Sequence, residues 1–189
     1  MKTLVMDGFH GDGDLQERAV GAVTAELSER GWEWDILTPR DMKIGPCSGC
    51  FGCWIKRPGM CVQADDIHLL CSKIVASDLL LIVSPISFGG YSSETKKAMD
   101  RIIGLISPFF TVFDDEVHHR PRYDRFPAMA VLGINHDKCE RCPEIFRTLL
   151  YRNAINFHTP SLAVAVVGDE DLSDNRNDNN RGRACGEVA

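Results

Sequence analysis

Five short runs rich in apolar and β-branched residues recur along the chain, and between them apolar positions return every three or four residues. The runs fall at 2–6 (KTLVM), 33–37 (EWDIL), 79–83 (LLLIV), 128–132 (AMAVL) and 162–167 (LAVAVV). Several are continuously apolar, as parallel strands covered on both faces should be, and their alternation with helical periods predicts an α/β protein. A first helix is expected over 15–29, with Ala19, Val20, Val23 and Leu27 on one stripe and Gly31 as its stop. Asp14 followed by Glu17 reads as a capping box at its start, each side chain bonding a free N–H of the first turn. A second helix should follow Asp65 and Asp66, a third should span 93–105, and a fourth should run from Pro143 to about Ala154, the proline suiting a first helical position.

The pattern ends abruptly. The last 22 residues, GDEDLSDNRNDNNRGRACGEVA, carry no helical stripe, which divides the chain into a folded domain at 1–168 and an irregular or flexible tail at 169–189. No fifth helix is available to cover the last strand, so a contact between copies of the chain or a docked tail is expected there. With 189 residues and 44 % hydrophobic content the chain suffices for one buried core.

Charge removes some functions from consideration. The balance is 27 acids to 21 bases, a formal charge of −6, and no basic run interleaves with aromatics, so nucleic acid is not an expected partner. No run of 18 apolar residues exists and the initial TLVM is too short for a leader core, so no membrane partner is expected and the cytoplasm is the expected location. In a reducing compartment the eight cysteines should be free, metal-bound or redox-active rather than structural disulfides.

In an open parallel sheet, ligands bind beyond the carboxyl ends of the strands; here those loops are 7–14, 38–64, 84–92 and 133–141. The third reads SPISFGGYSS, in which Pro85 fixes a dihedral, Gly89 and Gly90 let backbone approach a flat ligand, and Phe88 and Tyr91 offer planar surfaces to it. Ser84-Pro85-x-x-Phe88-Gly89, then Ser92, Lys96 and Asp100-Arg101, resembles the flavodoxin-like NAD(P)H-dependent FMN reductase family, as do Gly59-x-Cys61 and the following Asp65-Asp66-Ile67. The resemblance covers about residues 1–167 and implies a flavodoxin-like three-layer sandwich with a five-stranded parallel sheet in order 2-1-3-4-5. It further implies that Ser84, Pro85, Ile86, Ser87, Phe88, Gly89, Gly90 and Tyr91 line the isoalloxazine ring of FMN, with NAD(P)H as co-substrate. The first loop departs from that family: DGFHGDGDLQER places Asp12 and Asp14 where neutral donors are usual, and a capping Asp14 would occupy the N–H groups a phosphate needs. The candidates left for the phosphate are His10, Gly11, Asp12, Gly13, Asp14 and Leu15, mostly through backbone.

The spacing Cys47-x2-Cys50-x2-Cys53-x7-Cys61 gives three thiols at intervals that iron–sulfur clusters use and a fourth a short loop away. It resembles the iron–sulfur flavoprotein branch of the same family, which implies a [4Fe–4S] cluster; a packed loop without a metal, or tetrahedral zinc, are the other readings of these thiols. Trp54 and Phe51 should pack this loop or extend toward a partner. Cys139-Glu140-Arg141-Cys142, at a helix start, forms either a reactive redox pair or two ordinary surface cysteines. The run FDDEVHHRPRYDR at 113–125 is a solvated charge cluster or a metal site, and Phe109, Phe110, His118, His119 and Tyr123 resemble a family insertion that closes over the flavin or meets a second subunit. His68 and Cys71 read as packing residues.

The function so implied is an FMN-dependent oxidoreductase in which NAD(P)H or a protein donor reduces the flavin and a small molecule or protein accepts the electrons. A homodimer or homotetramer is the expected assembly. The alternative is a non-catalytic scaffold that has lost FMN at its acidic first loop and binds a metal or a partner.

Overall fold

A computed structural model of the chain describes residues 1–113 and 115–172; most of the expected tail lies outside the described residues. All five expected strands form: β1 (Lys2–Asp7), β2 (Glu33–Leu37), β3 (Leu79–Ser87), β7 (Ala128–Ile134) and β8 (Leu162–Val167). They pair in parallel in the order β2-β1-β3-β7-β8, the 2-1-3-4-5 order expected. Register is fixed by pairs such as Met6 with Ile82 and Pro85 with Ile134.

The helices are α1 (Asp14–Glu29), a single turn α2 (Gly52–Ile55), α3 (Ile67–Ala76), α4 (Ser93–Arg101) and α5 (Cys142–Phe157). The helix expected over 93–105 ends early, because residues Ile102–Leu105 tighten into a 3-10 turn; two β-branched residues and Gly104 support an α-helix poorly. The fourth helix runs past Ala154 to Phe157 and is stopped by His158 in the left-handed region (φ 51°). The capping box does not form. Gly13 occupies the cap position with no side-chain bond, and Asp14, one residue inside the helix, instead meets Arg18 at 2.9 Å.

Two faces of the sheet are filled unequally. One buries Leu4, Met6, Leu80, Ile82 and Met129 against α3, α4 and α5, with Phe146 and Leu150 wholly enclosed. The other buries Val5, Val83 and Ile134 against α1 and the ring of Phe9. Residues 169–172 are folded in part: a 3-10 turn over Glu170–Leu172 seats Leu172 in this second cluster. Among the described residues the rest of this face is open, and Val23, Leu81, Ala130, Leu132, Ala163 and Ala165 line a groove of about 270 Å³. The last strand is therefore not covered on both faces within the described residues, since Ala163 and Ala165 are exposed.

Two features were not legible in the strand pattern. A minimal strand β4 (Gly90–Tyr91) folds back antiparallel on Ile86 and Ser87. A separate hairpin, β5 (Ile106–Phe113) with β6 (Glu116–Pro121), stands on α5 and leaves Phe109, Phe110, Val112, Phe113 and Val117 exposed.

Phe146 is the largest fully enclosed side chain and touches both the sheet and the β4 turn. Phe146→Ala should cost about 3–5 kcal/mol, read as a lower urea midpoint with an unchanged slope.

Candidate functional site

The turns after β1 and β3 are tied together by buried polar groups. Gly8 donates its N–H to the Val83 carbonyl (2.8 Å), and the Gly8 carbonyl accepts from the Ser92 hydroxyl (2.5 Å). Ser92 also caps α4, accepting from the Thr95 N–H (3.1 Å), while its own N–H donates to the Ser84 hydroxyl (3.1 Å). Ser84, Ser92 and Thr95 are all fully buried. No other residue fits at position 8: a Cβ there would lie 1.9 Å from the Thr95 hydroxyl oxygen.

This knot sets the first loop beside the third. His10, Gly11, Asp12, Gly13 and Asp14 are exposed on the rim with Leu15 half-buried, and the His10 ring reaches the Ser93 hydroxyl at 3.5 Å. Because Asp14 does not cap α1, its carboxylate leaves the first-turn N–H groups to another acceptor. The second acid is also accounted for: Arg40, largely buried, pairs with Asp12, lies 3.5 Å from Asp7, and donates to the Phe9 carbonyl at 3.3 Å. Asp7 in turn accepts from the Phe9 N–H (3.0 Å) and Gln16 (2.7 Å). The negative charge that Asp12 and Asp14 would present to a phosphate is thus partly matched by two arginines, Arg40 and Arg18. Arg40 carried no sequence signal of its own; only its place after β2, on the same sheet edge, could have marked it.

The third loop is a tight turn. Phe88 (φ 51°) and Gly89 (φ 77°) both stand in the left-handed region, as a two-residue hairpin turn requires. The Phe88 ring is fully exposed at its tip, in a conformation that costs a non-glycine residue about 1–2 kcal/mol. Tyr91 does not offer its ring to a ligand: it is buried edge-on against Phe146 (5.5 Å, 84°), its hydroxyl bonded by Asn153 (3.1 Å). Ile86 and Ser84 are likewise buried. Pro85, Ser87, Phe88 and Gly90 remain for the open side, with Ser84, Ile86 and Tyr91 supporting them from beneath.

The cysteine loop lies at the other end of α4. Its anchor is Arg101, whose side chain is 1 % exposed and which makes two 2.9 Å bonds to Asp65, one of 2.6 Å to the Gly45 carbonyl and one of 3.3 Å to the Cys61 sulfur. Trp54 donates to the carbonyls of Ile103 (3.2 Å) and Ile106 (3.1 Å) and stacks on Phe51 (5.5 Å), so both aromatics pack the loop. His68, expected only to pack, bonds the Cys61 carbonyl at 2.8 Å. Gly49 (φ 65°) and Phe51 (φ 54°) turn the chain between the thiols. Burial, followed by the neighbouring thiols of Cys61, Cys47 and Cys50, pushes the Cys53 thiol up. The Gly52 N–H and the Ser48 hydroxyl hold exposed Cys50 below its ordinary value. Burial takes Cys71 up to about 12. The donor set suits a thiolate-bound cluster in its chemistry, with one cation against one sulfur, but among the described residues no three such side chains are gathered so that they could hold a metal ion.

The charge cluster at 113–125 does not gather a metal site among the described residues. Adjacent His118 and His119 separate across the hairpin: His118 meets Asn156 (3.2 Å) and Glu116 (3.1 Å), whereas His119 bonds the Ser107 carbonyl (2.8 Å) and packs on Trp54 (5.1 Å). Cys139 and Cys142 are joined as a disulfide.

An open parallel sheet in this order, with its ligand-facing turns on the carboxyl edge, defines a flavodoxin-like protein. One solved structure of that kind is an NAD(P)H:quinone oxidoreductase from Methanothermobacter marburgensis (TM-score 0.68, 15 % identity, 89 % of this chain and 85 % of that one); at that identity the likeness concerns the fold. The chain belongs to the NADPH-dependent FMN reductase family, whose model matches residues 1–136. Curated relatives include the iron-sulfur flavoprotein of Methanosarcina thermophila, 29 % identical over 105 residues, 56 % of this chain and 54 % of that protein. An iron-sulfur flavoprotein of Methanocaldococcus jannaschii is 35 % identical over 75 residues, 40 % of this chain and 38 % of that protein. The chain thus spans about half the length, or less, of the curated relatives it matches. Among the described residues no helix is long and apolar enough to cross a membrane.

Two outcomes follow from these environments. Among the described free cysteines, alkylation at neutral pH should modify Cys50 first and Cys71 last, measured by time-resolved peptide mass spectrometry. Burial acts to raise the Asp65 carboxyl, but bonds from Arg101 and from the Ile67 and Gly45 N–H groups outweigh it and leave it below the ordinary 3.8. Its contribution is therefore complete above that value and lost as pH falls through the lower folded one. Asp65→Asn should destabilise the chain by about 3–5 kcal/mol at pH 7, because Arg101 is left buried without its partner. The gap from wild type should shrink in denaturant titrations below about pH 4.

Proposed function

We propose that the chain is an FMN-dependent oxidoreductase in which NAD(P)H reduces the flavin and a small molecule or protein accepts the electrons. The observation that carries this reading is the junction of the first and third loops through Gly8, Ser84, Ser92 and Thr95, beside a helix start that no side chain caps. The backbone of residues 10–15 and the first-turn N–H groups of α1 would bind the FMN phosphate, favoured by the helix dipole. Arg40 would serve this end by offsetting the charge of Asp12 and Asp7. Pro85 and the 87–90 turn would border the ring, with Ser84 and Ser92 fixing the backbone that meets it. The flavin, when bound, supplies two-electron redox chemistry, so none of the chain's side chains need act as acid or base. The scaffold alternative rests on Asp12 and Asp14, and the pairing of each with an arginine weakens that support.

Cys47, Cys50, Cys53 and Cys61 would hold a [4Fe–4S] cluster, which supplies one-electron transfer when present. Supporting this are the spacing, the thiol proximity at Cys53, Arg101 against Cys61 and the iron-sulfur flavoprotein relatives. A homodimer or homotetramer is consistent with the exposed apolar arm of the β5–β6 hairpin.

Protein purified without oxygen should bind FMN and show bands near about 370 and 450 nm, with a broad shoulder near about 400 nm if iron and acid-labile sulfide are bound. Arg40→Gln should weaken FMN binding about tenfold or more by unpairing Asp7 and Asp12. A colourless chain that refuses millimolar FMN would overturn the enzyme reading.

A further inference from the structure

Cys139 and Cys142 close a disulfide with Cα atoms 5.4 Å apart at the ligand-facing edge of the sheet. The loop that holds them leaves β7, the strand paired with β3 up to the Pro85–Ile134 register. Cys142 is the first residue of α5 and shares a buried cluster with Ile86, Tyr91 and Phe146. One turn further on, Ile145 fills the space over Gly89, where a Cβ would lie 2.7 Å from its Cγ2. The pair therefore flanks the 87–90 turn through the opening of a single helix.

The two sulfurs are not equivalent. Cys142 is 8 % exposed and enclosed at the helix start, whereas Cys139 is only half-buried, with Asn135 bonding its carbonyl at 3.1 Å. An accessible sulfur paired with a shielded one is the asymmetry that thiol–disulfide exchange uses, because the outer sulfur can meet an external disulfide while the inner one stays in place to close the pair again. Stapling is a weak reason for the bond: a bridge over a sequence separation of 3 removes little entropy from the unfolded chain.

We propose that Cys139–Cys142 is a redox-active disulfide that takes an electron pair from the reduced flavin and delivers it to an external disulfide; this rests on the FMN reading above. In the first half, the Cys139–Cys142 S–S bond breaks and two S–H bonds form with the two electrons and two protons that a reduced FMN would supply, NAD(P)H being the source that would replenish them. In the second half, the Cys139 thiolate attacks one sulfur of the external disulfide and expels the other as a thiol. Cys142 then attacks the Cys139 sulfur, releases the second thiol and closes the pair again.

The test uses the full chain loaded with FMN and kept free of oxygen. NADPH is added, bleaching is followed at the flavin band, and samples are quenched in acid and alkylated with N-ethylmaleimide before peptide mass analysis. The peptide carrying residues 139–142 should be unmodified before reduction, doubly alkylated after bleaching, and unmodified when FMN-free chain meets NADPH. A bleached flavin with the pair still closed overturns this inference and leaves the FMN reading standing; failure of FMN to bind or bleach overturns both. A second arm needs no flavin: Cys142→Ser incubated with oxidised glutathione should acquire glutathione at Cys139 about tenfold faster than Cys139→Ser acquires it at Cys142. Equal rates, or no adduct at Cys139, would overturn the assigned order of attack.

Discussion

The carboxyl edge of the sheet is held by one small buried knot, in which the backbone of Gly8 is gripped by Val83 on one side and Ser92 on the other. Each partner has a second duty: Ser92 starts α4, and Ser84, which ends the apolar part of β3, accepts its N–H. Because these groups are out of water, an unmade bond among them would cost far more than a made one contributes. The two loops are consequently fixed as a unit, and the absence of a Cβ at Gly8 is what lets them come so close.

Much of this architecture was legible in the chain because strands buried on two faces leave continuous apolar runs, and five such runs with helical spacers admit few arrangements. The elements that escaped notice have other causes. The β5–β6 hairpin exposes apolar residues such as Phe109 and Val117, so its alternation was masked by aromatic and charged residues on both sides. The β4 strand is two residues long, below any useful period. The Asp14–Glu17 pattern matched a capping box in spacing, but the helix began at Asp14 itself, and a one-residue shift of the start converts a cap into an ordinary first-turn acid paired with Arg18.

The site was legible as a place but less so as chemistry. The turns after β1 and β3 are joined where Gly8 meets Val83 and Ser92 and where His10 reaches Ser93, as their positions on the sheet edge require. Which side chains face outward depended on turn geometry that a sequence does not disclose: Tyr91 turned into the core against Phe146, and Phe88 was left on the tip. Arg40 was invisible because its importance lies in whom it meets, namely Asp7, Asp12 and the Phe9 carbonyl, all remote in sequence. The cysteine spacing was plain, whereas the dependence of that loop on Arg101 and Trp54 arises only once α4 and the 3-10 turn after it are in place.

α4 carries the carboxyl-edge knot at its first residue's cap, Ser92, and the thiol-loop anchor at its last, Arg101. A helix of 9 residues is a rod of about 13 Å, so the interval between the two ends is dictated by backbone geometry and not by either loop. Sequence drift in one loop can therefore retune its own chemistry while the spacing to the other is inherited unchanged.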